Sequence, residues 1–449
     1  MTAKTVATPS PQVLAMSEDW QLIDDLMGGT KAMRRAGVRY LPRRGAEEPE
    51  DYDRRLSLAT LYPALIDTVG AMVGRVIGQP ADVSEVTPWI AEEVLPDIDR
   101  MDRGLMQAVG DIFRRGLAYG LTHVLVESPA VGGDITVAEQ RSRRLRPYII
   151  TLDPRDVLGW RYAEDGTLAQ VRIRSARSVE NGWETEAVEQ VRVYEPGRVS
   201  VWEKVPNTET WAVVAELATG LTRIPLVTYY TGRTGPMTAV SPVLELAHLN
   251  AKHWRQQSGI DDLLEVASVP ILALIGAESD DRLVIGGRYA VRLPREADLK
   301  YVEHTGAAIG SGREALAELK AEMRSFRGRM LDDSASAMTA TQAREEAAES
   351  NAPLSRMVRD LEDAIAAILD LIAAYRGEAT GGRVTLAPDL SADLGSESMA
   401  TLVQMHARGA ISSETLFRES QRRGLVDGSL DWEVEQARIG SDGLANGAA

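Results

Sequence analysis

Between Gly312 and Arg376 the apolar residues fall into two runs with helical spacing. Leu316, Leu319, Met323, Phe326 and Met330 recur at steps of three and four. Leu354, Val358, Leu361, Ile365, Ile368, Ile372 and Tyr375 alternate four and three. Such spacing keeps one apolar stripe on one side of each helix. The stretch between them, Leu331 to Thr341, has neither a stripe nor a bulky anchor and reads as a flexible polar loop. A polar loop held between two packed helices is a device for presenting that loop to something.

The rest of the chain divides by the same criterion. Trp20 to Arg35, Asp51 to Gln79 and Val86 to Tyr119 predict helices. The second of these holds Gly70, Gly74 and Gly78 four apart, a spacing that permits close helix approach, within the chain or between subunits. Period-two alternation then takes over at His123–Val126, Arg146–Leu152, Val157–Trp160, Val171–Ser175, Gln190–Tyr194, Val199–Lys204 and Trp211–Glu216. With hairpin turns at Asp165-Gly166 and Asn181-Gly182, residues 121–230 predict a β-rich subdomain. Ser241-Pro242 opens another helix, to about Leu264. A compact β segment follows in Val269–Ile275, Gly286–Leu293 and Leu299–Glu303, ahead of the two striped helices. Beyond Gly381-Gly382, Ser398–Gly409 and Ser412–Arg423 predict a last helical pair. The N-terminal arm, residues 1–19, and the tail, residues 436–449, read as disordered.

At 449 residues the chain exceeds one core, and 44% hydrophobic with 26% charged residues is ordinary globular composition. The most apolar run, Val266 to Ala277, is about half a bilayer span and contains Pro270, so no membrane segment is expected. The cysteine count of zero removes disulfide and thiolate chemistry and suits a reducing cytoplasm. A net charge of −16 means that the chain as a whole does not grip nucleic acid. Against that acidic background, Lys320, Arg324, Arg327 and Arg329 make the C-terminal half of the first striped helix basic. Cations near a helix C-terminus are favoured by its dipole; the other reading is that they face a polyanion.

Catalytic patterns are missing from the sequence. The five histidines include His248 and His253, five apart, off the spacing of a zinc-binding helix and without its glutamate, so packing or surface roles are expected and no metal site. There is no phosphate-cradling glycine loop followed by Lys-Ser/Thr and no Gly-x-Ser-x-Gly elbow. The pairs Asp261/Asp262, Asp280/Asp281 and Asp332/Asp333 are adjacent, and adjacent side chains point apart, so they read as solvated turns and caps. No cofactor is expected, and the chain reads as an assembly protein and not an enzyme. One enzymatic arrangement stays open: a carboxylate cluster gathered from Asp97, Asp99, Asp102 and Asp261, serving nucleic-acid processing.

Several strings, in this order, resemble one family. They are Gly116-Leu-Ala-Tyr-Gly-Leu-Thr-His-Val-Leu-Val-Glu-Ser-Pro129, Arg146-Pro-Tyr-Ile149, the run from Ser241 to Trp254, the run from Thr339 to Glu349, and Gly409-Ala-Ile-Ser-Ser-Glu-Thr415. Together with the order of elements they resemble the portal proteins of tailed bacteriophages and prophages over roughly residues 20–435. The resemblance implies an α+β portal-like fold. Its parts would be a wing at 20–240, a first stem helix at 241–265, a clip at 266–310 and a second stem helix at 311–330. A tunnel loop at 331–341 and wing or crown helices at 342–435 would follow. The apolar stripes would then pack between subunits.

The same resemblance implies a homo-oligomeric ring, usually of twelve subunits, at one vertex of the capsid, assembled in the bacterial host cytoplasm. Double-stranded DNA would be pumped through its channel by a terminase large subunit docked on the clip. A head–tail connector or adaptor would later replace the terminase, and the major capsid protein would surround the ring. Asp332, Asp333, Ser334, Ala335, Ser336, Ala337, Met338 and Thr339 would form the tunnel loop facing DNA. Lys320, Arg324, Arg327 and Arg329 would be the basic stem residues. A capsid scaffold or adaptor without a channel is the remaining alternative.

Overall fold

The computed structural model describes residues 4–129, 143, 145–206, 208–267, 271–275, 298–302, 307–331, 352–386, 402–422, 426 and 430–438. Contacts divide the chain into two units: Met1–Ser17, Val69–Pro242 and Arg327–Ala449 form one, and Glu18–Thr68 with Val243–Phe326 the other.

The first unit is built on the predicted alternation. Strands β4 (Val157–Tyr162), β5 (Leu168–Asn181), β6 (Glu184–Glu195), β7 (Arg198–Lys204) and β8 (Trp211–Ala218) pair antiparallel in chain order as one five-stranded meander. The tight connections come where glycine accepts positive φ, at Gly166 (φ 81) and Gly182 (φ 66). Strands β2 (Leu121–Glu127), β3 (Tyr148–Leu152) and β9 (Leu226–Tyr230) form a second sheet in the order β3-β2-β9, and β10 (Arg233–Gly235) pairs with β11 (Thr238–Ala239) beyond it in the chain. Leu125 and Leu152 from that sheet share a core with Val157, Val171, Ile173, Tyr194 and Val199 of the meander. Glu127 fastens the two sheets: its carboxylate accepts from the hydroxyls of Tyr194 (2.5 Å) and Tyr148 (3.1 Å) and from Arg192 (2.8 Å).

Helix α5 (Leu105–Tyr119) packs on β2 and β9, and the second striped helix, α8 (Ala352–Ala374), packs on β9, β2 and the short β14 (Arg383–Thr385), which pairs with β1 (Asp82–Ser84). The Tyr229 hydroxyl donates to the Met357 carbonyl at 3.0 Å, and Tyr375 donates to Val126 at 3.2 Å. The stripe on α8 is therefore buried in its own chain. Beside Leu354, Val358, Leu361, Ile365, Ile368 and Ile372, the residues Met357, Leu369, Leu371 and Ala373 are buried too. A face that wide covers a sheet; a heptad seam between subunits needs only the narrower stripe.

The N-terminal arm is a second departure from expectation. Val6 and Ala7 pack beside Leu158, Val191 and Val193 on the meander. The Arg172 guanidinium donates to the carbonyls of Val6 (2.6 Å) and Thr8 (2.9 Å), and the Ser10 N–H donates to Leu158 (2.7 Å). Helix α1 (Pro11–Met27) follows at once, with proline at its first position. Residues 4–19 are thus ordered because Arg172 takes their carbonyls and the sheet needs an apolar cover. The tail 436–449 lies outside the described residues after Arg438.

The second unit is mostly helical. Helices α2 (Gly29–Ala36) and α3 (Pro49–Leu58) precede the start of α4 (Ala64–Ile77). The stretch 51–79, expected to be mostly helical, is helical in two parts with a break between Leu58 and Ala64, where Pro63 has no N–H to give. Helices α6 (Leu244–Ala267) and α7 (Ala307–Leu331) flank an antiparallel pair, β12 (Ile271–Ile275) and β13 (Asp298–Val302), aligned Ile271 to Val302 through Ile275 to Asp298.

In the first unit, the glycine row on α4 does not make the expected close crossing. Ideal Cβ atoms at Gly70 and Gly74 would meet nothing within 4 Å. The close approach comes instead from Gly110 of α5, whose Cβ would stand 3.2 Å from Ile77 and 3.8 Å from Val73.

Candidate functional site

Helix α6 carries a buried stripe in which apolar and polar residues alternate by turns. Leu246, Ala247, Ala251, Trp254 and Ile260 are buried, and so are Asn250, His253 and Ser258. Asn250 has a definite task. Its carboxamide oxygen accepts the N–H of Leu65 at 3.1 Å and its amide donates to the Tyr62 carbonyl at 2.9 Å. The first N–H groups of a helix have no partner within it, so Asn250 acts as a remote cap for α4.

One turn on, the His253 ring lies 5.3 Å from that of Tyr62, tilted at 40°. The Lys320 ammonium of α7 sits 5.3 Å from the centre of the same Tyr62 ring, within cation–π range. Burial first, then the nearby Lys320 charge, push the His253 imidazole down to about 4, against a smaller pull from Asp261. It is a neutral packing residue. At the far end of α6, Gly312 of α7 lies against Ile260. Lys320 near His253 and Gly312 near Ile260 make α6 and α7 antiparallel. A cleft of about 400 Å³ opens at their crossing, lined by Arg44, Gln256, Gly259, Ile260, Leu263, Gly312 and Ala315.

The structure separates the four basic residues of α7. Leu316, Leu319 and Met323 of the first stripe are buried as expected, and Phe326 and Met330 are half-buried. Lys320 is half-buried and turned onto Tyr62, and Arg327 is half-buried with its Nε unpartnered. Arg324 and Arg329 are exposed. The residues expected to form a tunnel loop, Asp332 through Thr339, most of those expected to form a clip, and the pairs Asp280/Asp281 and Asp332/Asp333 lie outside the described residues.

The carboxylates considered for catalysis are engaged locally. Asp97 pairs with Arg146 at 2.7 Å and accepts the Asp102 N–H at 2.8 Å. Asp99 pairs with Arg103 at 2.5 Å and accepts the Met101 N–H at 2.9 Å. Burial disfavours the Asp99 anion, but the Met101 N–H and Arg103 outweigh it and hold its carboxyl below the usual range. These bonds fix a turn in which Arg100 and Asp102 have φ of 63° and 59°. Asp261 accepts from Gln257 at 2.7 Å. Asp261 and Asp262 sit within α6, not in a turn, and Asp262 pairs with Arg44 at 2.5 Å. Among the described residues, no group of three or more His, Asp or Glu is placed to hold a metal, and no helix is long and apolar enough to cross a membrane.

His123 is also buried, its Nδ1 2.9 Å from the Thr228 hydroxyl, and burial lowers it to about 3. His248 is exposed, His406 is half-buried, and His304 lies outside the described residues.

Two charged features escaped the sequence reading. Between Met27 and Ala46 there are six cations and no acid: Lys31, Arg34, Arg35, Arg39, Arg43 and Arg44. The distal half of the β5–β6 hairpin carries Glu180, Glu184, Glu186 and Glu189 around Trp183. A sliding count of charge would have found both.

A family model described as a domain of unknown function (DUF4055) matches residues 242–376, which run from the start of α6 to the end of α8. No curated protein matches the chain. Among solved structures, the chain is similar to a chain of the neck of a native GTA particle computed with C12 symmetry, at 14% identity and a TM-score of 0.43, covering 81% of this chain and 89% of that one. A chain of the neck of an empty GTA particle computed with C6 symmetry gives 16% and 0.44, with 81% and 89% covered. A chain from the virion of a native gene transfer agent particle gives 15% and 0.45, with 86% and 97% covered.

Proposed function

We propose that this chain is the subunit of a phage-type portal, a ring at one capsid vertex through which double-stranded DNA enters and leaves the head. The observation that carries the reading is the hairpin of α6 and α7. Two long antiparallel helices are joined through a small antiparallel β pair, and a stretch of polar sequence, 332–341, separates them from the core helix α8. That order supports the reading of stem, clip, stem and tunnel loop. The local engagement of the Asp97, Asp99 and Asp261 carboxylates favours an assembly role over a nuclease.

In this reading β12 and β13 belong to the clip, where a terminase large subunit docks first and a head–tail connector later. The major capsid protein holds the outside of the ring, and the assembled particle carries it as a virion component. Residues 332–339 form the tunnel loop against DNA. Arg324 and Arg329, exposed on α7, are the stem cations that face the channel in this reading, while Lys320 lies over the Tyr62 ring. Few cations suit the task, since each phosphate paired tightly would retard a moving duplex.

Negative-stain microscopy and native mass spectrometry of the purified chain test the proposal. Rings of about twelve subunits with a central hole are expected. A stable monomer with metal-dependent nuclease activity would overturn it.

A further inference from the structure

The β5–β6 hairpin outruns the sheet that supports it. Strand β7 pairs with β6 only from Gln190 onward, opposite Glu203, whereas β5 and β6 stay paired out to Asn181 and Glu184. Residues 176–189 therefore form a bare two-stranded ribbon, about 20 Å long at ~3.3 Å per residue. A two-stranded ribbon alone is marginally stable in water, so a long one is expected to lie on something.

The tip and the charges say what. Trp183 is 104% exposed and touches no core. Glu180, Glu184, Glu186 and Glu189 are exposed, and none forms an ion pair among the described residues. The one cation of the ribbon, Arg177, is spent on Glu203 at 3.2 Å. A net acidic arm ending in a bare indole calls for a basic surface with an apolar spot.

The chain supplies such a surface. Lys31 and Arg35 of α2 are exposed and make no ion pair among the described residues. Exposed Arg39, which pairs with Asp25 at 3.0 Å, and exposed Arg43 follow, with Val38, 62% exposed, between the cations. In a chain of net charge −16, an acid-free run of this kind is the natural counterpart of an acidic arm. The two surfaces differ, so a contact between copies is heterologous and repeats from one subunit to the next, which closes a ring when the rotation permits.

We propose that the 176–189 arm of one copy docks on the Lys31–Arg43 surface of another, Trp183 packing by Val38 and the glutamates facing the cations. This rests on the reading of the chain as a self-assembling ring.

The full chain is tested by sedimentation over a concentration series, with Trp183→Ala, Glu184→Lys/Glu186→Lys, Lys31→Glu/Arg35→Glu, and the two charge reversals combined. Trp183 supports nothing in its own fold, so its variant keeps the wild-type melting temperature. Each variant is expected to raise the concentration needed for assembly at least about tenfold, as losing an interface anchor does. The combined reversal regains much of that loss. A benzophenone residue in place of Thr185 is expected to crosslink to residues 31–44 of a differently isotope-labelled copy.

Rings unaffected by the arm variants, or crosslinks to another surface, overturn the arm while leaving the ring in place. A wild-type chain that stays monomeric overturns both. Loss of duplex-DNA binding in Lys31→Glu/Arg35→Glu with assembly intact would assign that surface to nucleic acid and also overturn the arm.

Discussion

An ideal Cβ on Gly312 would overlap the terminal Cδ1 methyl of Ile260 and stand 3.3 Å from its Cγ1. Helices α6 and α7 meet here, and the contact sets how bulky the α7 side may be. Replacing glycine by alanine within a helix gains about 1 kcal/mol of propensity. Turning Ile260 off its rotamer costs about 0.5–1.5 kcal/mol. Gly312→Ala is therefore expected to be near neutral in chemical denaturation. Gly312→Leu cannot be absorbed by one methyl and is expected to cost about 1–3 kcal/mol. A leucine variant as stable as wild type would mean that the helices are free to separate.

Glu47 and Arg55 form a buried bidentate pair in the helical unit. Arg55 Nε and Nη2 donate to the two carboxylate oxygens at 2.6 and 2.7 Å, with side chains only 4% and 7% exposed. The Arg55 hydrogen bonds, opposed by burial and helped by the Arg44 N–H, lower Glu47 from 4.5 to about 2. A carboxyl depressed in the folded state stabilises fully above its unfolded value and loses that contribution as pH falls from about 4.5 to about 2. Glu47→Gln strands the Arg55 charge and is expected to cost about 3–5 kcal/mol at neutral pH, with a flatter acid limb. Urea titrations at pH 7 and pH 3 measure both. A loss confined to acid pH would contradict the pairing.

His253 titrates in a different window. Its folded value of about 4 lies below the ordinary 6.5, so the unfolded chain binds the proton first. Stability present above pH 6.5 is then lost as pH falls toward 4, at no more than about 1.4 kcal/mol per pH unit. His253→Phe removes this slope and keeps the ring against Tyr62. Calorimetry from pH 7 to pH 4 is expected to show the variant losing less melting temperature than wild type. His123 leaves a residual slope in the β-rich unit, since its value of about 3 obeys the same sign. An unchanged profile in His253→Phe would mean that the imidazole is already open to solvent.

The β meander was legible because its faces differ: alternation at Val171–Ser175, Gln190–Tyr194 and Val199–Lys204 reports one buried and one wetter side. The helix hairpin was legible for the same reason at Leu316, Leu319 and Met323. What α8 packs against was not. A stripe at four-three spacing looks alike whether it meets a partner helix or a sheet, and only Leu369 and Leu371, off the stripe, reveal the wider cover. The ordering of residues 4–10 depends on Arg172, distant in sequence, and no local pattern reports it. The charge of Lys320 is visible in sequence, whereas the Tyr62 ring it lies over is distant in the chain and no local pattern reports the contact.

Residues 332–340, the proposed tunnel loop, are where the proposed function meets DNA most directly. The chain enters it from α7, on which Leu316, Leu319 and Met323 are buried, and leaves it toward α8, held in the core through Leu361, Ile365 and Ile372. Both anchors are independent of the loop sequence, and closing a shorter loop changes the entropy only slowly with length. Replacing residues 332–340 by a short Gly-Ser linker is therefore expected to leave melting temperature and ring formation unchanged while impairing DNA packaging or retention in a complementation assay. Exposed Arg324 and Arg329 give the graded companion: replacing each by Gln is expected to alter packaging efficiency without changing ring number. Packaging at wild-type level after loop replacement would remove the loop from the DNA path, and loss of rings would move it into the subunit interface.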